Sequence, residues 1–257
     1  VKEKEEEIIQ RHVAATLALI SEELTEENKV IPLLWASPKF HKNPIKFRFI
    51  AGARLASTKQ MSIVLAKILY HLKEHWERYT TVVSERKGYR CNWMIDNSGD
   101  VTKMLRINKL PNNTVLNVAD FSTLYTSFQH KLIIENMTCL IKMLFKHAEH
   151  KYISIGRKAY YHSSEARNTT KYTAGDVTRL LVFLIKNSYV NYAGQMFHQT
   201  SGIPMGANYS PVLANLSLAY LEYTYLIANP VQGRRLNLTV RYIDDLLSIG
   251  SNALKEA

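Results

Sequence analysis

A chain of 257 residues with 46% apolar and 21% charged side chains can bury a sizeable core, and this composition excludes wholesale disorder and fibrous architectures. With 33 Lys and Arg against 22 Asp and Glu, the formal charge of +11 favours a polyanionic partner held through phosphate contacts. There is no long uncharged apolar run and no secretory leader, and the two cysteines, Cys91 and Cys139, suit a soluble protein of a reducing compartment better than a disulfide scaffold.

In chain order, residues 2–29 open with a charged run and carry Ile8, Ile9, Val13, Leu17 and Ile20 at helical spacing. This predicts a helix lying on the body of the fold, with Glu3 to Glu7 as its solvated start. From Trp35 to Ile50, Lys39, His41, Lys42, Lys46 and Arg48 are interleaved with aromatic residues, and Pro38 and Pro44 oppose a continuous helix. Lys46 to Ile50 alternates as a strand with Lys46, Arg48 and Ile50 on one side. Such a ribbon suits a triphosphate clamp or a grip on a nucleic-acid backbone, and it equally suits an ordinary basic surface hairpin. Residues 58–79 predict an amphipathic helix through Ile63, Leu65, Ile68, Leu69, Leu72 and Trp76. Its polar face carries Lys59, Lys67, Lys73 and Arg78, available to nucleic acid or to solvent. Residues 80–114 are polar with weak periodicity, and no element is assigned there.

The apolar run Thr114 to Ala119 delivers Asp120 at a strand end. A carboxylate there can reach a metal while the backbone carbonyl of Phe121 offers a second hard oxygen; Asp120 can also simply cap the turn that follows. Tyr125 is placed to pack against a nucleotide sugar and exclude a 2′-hydroxyl, or to fill the core. A helix follows Lys131, a short ribbon spans Ile153 to Tyr161, and a second helix spans Asp176 to Lys186. His147, His150 and His162 lack metal-ligand spacing and are assigned surface or hydrogen-bonding roles. Asn191 to Gln199 has a strand, turn, strand pattern. Gly202, Pro204 and Gly206 then permit a tight turn and close approach of a flat ligand, and Ser210-Pro211 opens a helix through Val212, Leu213, Leu216, Leu218, Leu221 and Tyr225. Finally Leu236 to Ile243, Asp244-Asp245 and Leu246 to Ile249 predict a β-hairpin with an acidic tip, where two close carboxylates favour recruitment of a cation.

Taken in order, Asp120-Phe-Ser-Thr-Leu-Tyr125, Gly202-Ile-Pro-Met-Gly-Ala-Asn-Tyr-Ser-Pro211 and Tyr242-Ile-Asp-Asp245 resemble the successive palm motifs of a reverse transcriptase. Pro38-Lys-Phe-His-Lys42 and Ile45 to Ile50 resemble the fingers of the Penelope-like retroelement enzymes, so the resemblance covers residues 32–250. It implies an α+β right-hand polymerase fold: an antiparallel palm sheet packed on helices, with a fingers subdomain. The expected division is an N-terminal helical segment (1–31), a fingers-like region (32–114) and a palm-like catalytic region (115–257) that stops before the thumb. The chain is therefore expected to be part of a larger protein.

The implied activity is RNA-directed DNA synthesis by two-metal-ion nucleotidyl transfer onto a primer 3′-hydroxyl, with two Mg²⁺ ions or Mn²⁺ in their place. Asp120 and Asp244 would be the principal ligands, Asp245 a supporting one, and Phe121 a contributor. Arg48, with Lys46, Tyr125, Gln199 and Gly202, would bind the nucleotide, while Lys39, Lys42, Pro204 and Gly206 would line the template or its phosphates. The implied partners are an RNA template, a DNA primer or nicked target DNA, and dNTPs, with no membrane and no obligatory protein partner. Action in the nucleus is expected ahead of the cytoplasm. A telomerase-like or RNA-dependent RNA polymerase, and a non-catalytic RNA-binding relic of a retroelement, are the alternatives.

Overall fold

A computed structural model describes residues 3–40, 42–108, 110–121, 123–156, 158–162 and 170–251. His41 of the basic segment and Ser122 of the Asp120 motif lie outside the described residues. Acidic Glu5, Glu6 and Glu7 open helix α1 (Glu5–Ile20), where they complement the helix dipole, and left-handed Ser21 ends it by donating to the Leu17 carbonyl. The helix is thus shorter than the predicted 2–29. Its buried stripe is Ile8, His12, Thr16 and Ile20, and Leu17 is exposed. The two polar members of this four-residue stripe are bonded locally: His12 Nδ1 meets Ser57 Oγ at 2.7 Å, and Thr16 donates to the His12 carbonyl, while His12 Nε2 is buried without a hydrogen-bond partner among the described residues.

Strands β1 (Leu34–Lys39) and β2 (Lys46–Ala51) form the expected hairpin, pairing antiparallel. Helix α2 (Lys59–Lys87) runs eight residues past its predicted end. The hydroxyls that weaken the helical pattern there, on Thr80, Thr81 and Ser84, turn back onto the carbonyls of Trp76, Glu77 and Thr80 within the helix. Helix α3 (Ser98–Ile107) also falls in the stretch left unassigned; Asn97 caps it by accepting from Gly99 N–H. There follow β3 (Leu116–Asp120), the single turn α4 (Leu124–Ser127), α5 (His130–Ala148), β4 (Tyr152–Ile155), β5 (Ala159–His162), β6 (Lys171–Tyr172) and α6 (Ala174–Lys186). The chain continues through β7 (Tyr189–Tyr192), β8 (Gln195–His198), α7 (Ser210–Ala228), α8 (Pro230–Arg235), β9 (Thr239–Tyr242) and β10 (Asp245–Ile249).

The chain divides into two units, each drawn from two stretches. The first comprises residues Val1–Leu72 and Tyr125–Leu213. Within it α5 packs on α6, burying Ile133, Met137, Leu140, Ile141 and Leu144 along with Val177, Leu180, Leu181, Leu184 and Ile185. A three-stranded antiparallel sheet in the order β5-β4-β6 and the β7-β8 hairpin belong to the same unit. The second comprises Lys73–Leu124 and Ala214–Ala257. Its core gathers Tyr89, Cys91, Trp93, Leu226, Leu236 and Leu246, and buried Trp76 meets the Tyr223 ring edge-on at 5.2 Å. Its antiparallel sheet has the order β3-β10-β9. Both cysteines are free, Cys91 buried and Cys139 exposed. Among the described residues no helix is long and apolar enough to cross a membrane.

Candidate active site

The acidic tip forms in the second unit. Tyr242 and Asp245 close the β9-β10 hairpin, leaving Ile243 and Asp244 as a two-residue loop. Ile243 takes the left-handed conformation, φ 56°, which disfavours a β-branched residue and costs about 1–3 kcal/mol. Strain of this kind is retained where the surroundings over-determine the backbone. On its other edge β10 pairs with β3, and the register sets Asp245 directly opposite Asp120. Phe121 N–H donates to the Asp244 carbonyl at 3.0 Å, which makes Asp120 and Asp245 a pair without direct mutual backbone bonds, the closer of the two antiparallel spacings. Directly opposed side chains leave the same face with Cβ atoms about 5 Å apart. Both carboxylates are exposed and Asp244 is half-buried.

This arrangement suits a hard divalent cation. Two like charges this close repel, and Mg²⁺ is commonly held by one or two carboxylates, with water and substrate phosphate completing its shell. Among the described residues no group of three or more His, Cys, Asp or Glu is arranged to hold a metal, so a closed site made only of protein ligands is not built here. The register brings Asp245 opposite Asp120, while Asp244 meets this strand pair through its backbone bond to Phe121.

One side chain of this neighbourhood carries no signature in the sequence. Arg241, fully buried on β9, bonds to Glu222 and Asn215 of α7 and to the Ile243 carbonyl. A lone arginine in an apolar strand has no motif of its own; the available hint is that a charge there needs a buried partner.

The other predicted residues belong to the first unit. The β1-β2 register sets Lys39 opposite Lys46 and Ser37 opposite Arg48 on one face of the hairpin. Lys42 lies in the exposed connection between the strands. Among the described residues none of these four cations has an acidic partner, so their charge remains available to an anion. The α2 cations are engaged differently: Lys59 donates to Asn208 and Lys67 to the Gly156 carbonyl, both in the first unit. In the second unit Lys73 donates to Asp96 and pairs with Glu77, and although its burial opposes ionisation, these carboxylates hold its pKa above the usual lysine value.

The loop after β8 is fastened on both sides within the first unit. Gly202 N–H donates to Phe128 O and Ile203 N–H to Tyr125 O, each at 2.8 Å. Gly202 has φ +83°, and a Cβ there would lie 2.3 Å from the Tyr125 carbonyl oxygen. At the loop's far end Ala51 N–H donates to Met205 O, and a Cβ on Gly206 would lie 2.1 Å from the Ala51 carbonyl oxygen. Pro204 is buried, with its carbonyl accepting from Ser210, and Gln199 donates to the Ser201 carbonyl. Tyr125, the glycine loop and the end of β2 therefore share one neighbourhood. Both glycines are required by backbone approach.

The antiparallel sheets packed on helices make a right-hand polymerase fold. Solved structures with this fold include apo telomerase from Candida tropicalis, at TM-score 0.54 and 12% identity over 96% of this chain and 44% of that one. The Candida tropicalis telomerase in complex with a TWJ fragment of telomeric RNA is similar at TM-score 0.57 and 15% identity, over 88% of this chain and 37% of that one. The Candida albicans telomerase in complex with such a fragment gives TM-score 0.52 and 14% identity, over 88% and 39%. The chain thus spans less than half the length of these proteins. No protein-family model matches the sequence, and no curated protein matches it.

Proposed function

We propose that this chain is the fingers and palm portion of an RNA-directed DNA polymerase of a Penelope-like retroelement, adding deoxynucleotides to a primer 3′-hydroxyl. The observation that carries this reading is the cross-strand pairing of Asp120 with Asp245 beside the Ile243-Asp244 loop. Asp120, Asp244 and Asp245 would each offer a carboxylate to Mg²⁺, with water and substrate phosphate completing its shell, and the ion would supply charge neutralisation and Lewis acidity. Arg48, Lys46 and Lys39 offset the charge of the triphosphate or template phosphates. Tyr125 stands against the sugar and selects deoxyribose by bulk. An RNA template, a DNA primer end and dNTPs are the partners, and the nucleus is the proposed place of action.

The test is extension of a labelled DNA primer on an RNA template, with dNTPs or rNTPs, by the parent and by Asp244→Ala. Mg²⁺-dependent extension with dNTPs by the parent alone is expected. Equal rates for the two proteins would remove Asp244 from the chemistry, and a folded but inactive parent would favour an RNA-binding relic. A telomerase-like polymerase is the second reading, favoured by the likeness to the telomerase structures. Its signature in the same assay would be repeated copying of a short segment of RNA that stays with the protein.

A further inference from the structure

We propose that Arg241 is a positioning residue for Asp244: its buried guanidinium fixes the Ile243 peptide and so the backbone that presents the Asp244 carboxylate. The inference rests on reading the acidic tip as a nucleotidyl-transfer site. Arg241 is 0% exposed, and all five of its guanidinium N–H donors are used. Nε and Nη2 donate to the two carboxylate oxygens of Glu222, which is itself 8% exposed. Nη1 donates at 2.7 Å both to Asn215 Oδ1 and to the Ile243 carbonyl, and Nη2 also reaches the Asn215 carbonyl at 3.2 Å. Asn215 and Glu222 stand two turns apart on one face of α7. The main chain of Arg241 is held as firmly, donating to Trp93 O and accepting from Ile95 N–H.

The bond to Ile243 matters because of where it lands. The hairpin loop has two residues, and the first of them sits in a conformation a β-branched side chain resists. Its carbonyl is fixed by Arg241, and the next carbonyl, of Asp244, is fixed by Phe121 N–H. The backbone of Asp244 is thereby determined from both sides, by the helix that supports the sheet and by the strand that ends in Asp120. A buried ion pair is often replaceable by apolar side chains without loss of stability, so stability alone does not account for this one. Lysine could neutralise Glu222, yet its single ammonium cannot reproduce a planar fork that grips a carboxylate on one edge and a loop carbonyl on another.

The test uses the 257-residue chain in three forms. Arg241→Lys keeps a cation beside Glu222. The double variant Arg241→Met, Glu222→Leu removes both buried charges together, so no carboxylate is left buried and unpaired. Asn215→Ala loosens the fork while leaving the ion pair. Thermal melting selects the folded variants, and amide exchange across residues 242–246, followed by mass spectrometry without nucleotide or Mg²⁺, reads the loop directly. In the folded double variant the loop is expected to exchange about tenfold or more faster, the loss of one hydrogen bond to a charged donor. In primer extension kcat is expected to fall about a hundredfold, the effect of a small misplacement, with KM for the primer and template little changed. Unchanged loop exchange in the folded double variant overturns the proposal, and so does faster exchange with an unchanged kcat. A parent that extends no primer defeats the functional reading instead, while the exchange measurement still decides whether Arg241 holds the loop.

Discussion

His12 sits where its neutral form is favoured. Burial, with Arg11 acting in the same direction, pushes its imidazole down from 6.5 to about 4. The unfolded chain therefore takes up a proton here near pH 6.5, and the folded chain does so only near pH 4. The contribution is fully present above that upper value and is lost as the pH falls through the window, amounting to about 3 kcal/mol in all. His12→Gln should flatten the dependence of urea-measured stability on pH across this range; an equally steep decline in the variant would assign it to other groups. Gly202 makes a different demand. Its positive φ and the 2.3 Å approach to the Tyr125 carbonyl leave no room for a methyl group. Gly202→Ala should cost about 3 kcal/mol in denaturant unfolding, combining backbone strain with overpacking. A cost below about 1 kcal/mol would mean that the loop relaxes away from this turn.

Among the elements, α6 has the most local instructions. Thr173 accepts from Asp176 N–H, and Asp176 accepts in return from Thr173 N–H and its hydroxyl. Thr173→Ala should lower stability by about 1 kcal/mol, and no change in the urea midpoint would show the cap to be dispensable. Helices with a continuous apolar stripe, such as α5 and α6, were legible in the sequence, as were the three hairpins and the strand ending in Asp120. Where polar residues interrupt the stripe, legibility failed. Thr80, Thr81 and Ser84 lie inside α2 with their hydroxyls bonded to its own carbonyls, and α3 is announced by a cap more than by periodicity. The strand that ends in Asp120 and the hairpin whose tip holds Asp244 and Asp245 were legible too, because apolar runs flank them. The sequence paired Asp120 with Asp244, whereas the register opposes it to Asp245, a match set between distant segments. The β1-β2 hairpin carries its own prediction. Replacing Lys39 and Lys46 with Ala should reduce the slope of log affinity against log salt for single-stranded RNA by about 1.4, the sum of two phosphate contacts. An unchanged slope would return this hairpin to ordinary surface.

For the molecule as a whole, each unit draws on two separated stretches of chain, a partition that no contiguous division of the sequence can express. The net charge of +11, in contrast, needs no fold to be read. The two thiols give a global probe of folding. Cys139 is exposed, while Cys91 lies in a core whose burial raises its thiol pKa and so suppresses the reactive thiolate. One thiol should react rapidly with a disulfide reagent in the native state and two after denaturation. Rapid reaction of both without denaturant would mean that the second unit opens readily around Tyr89, Cys91 and Leu236.

The two-residue hairpin loop also limits how this chain can vary. Along β10 the side chains alternate, so Asp245, Leu247 and Ile249 share one surface, and Leu246 and Ser248 share the other. A substitution at Ile243 changes one side chain, but an inserted or deleted residue there inverts the parity of the whole strand. It would turn Asp245 toward the core and Leu246 toward water. Length at the tip is thus more tightly constrained than the identity of the residue at 243.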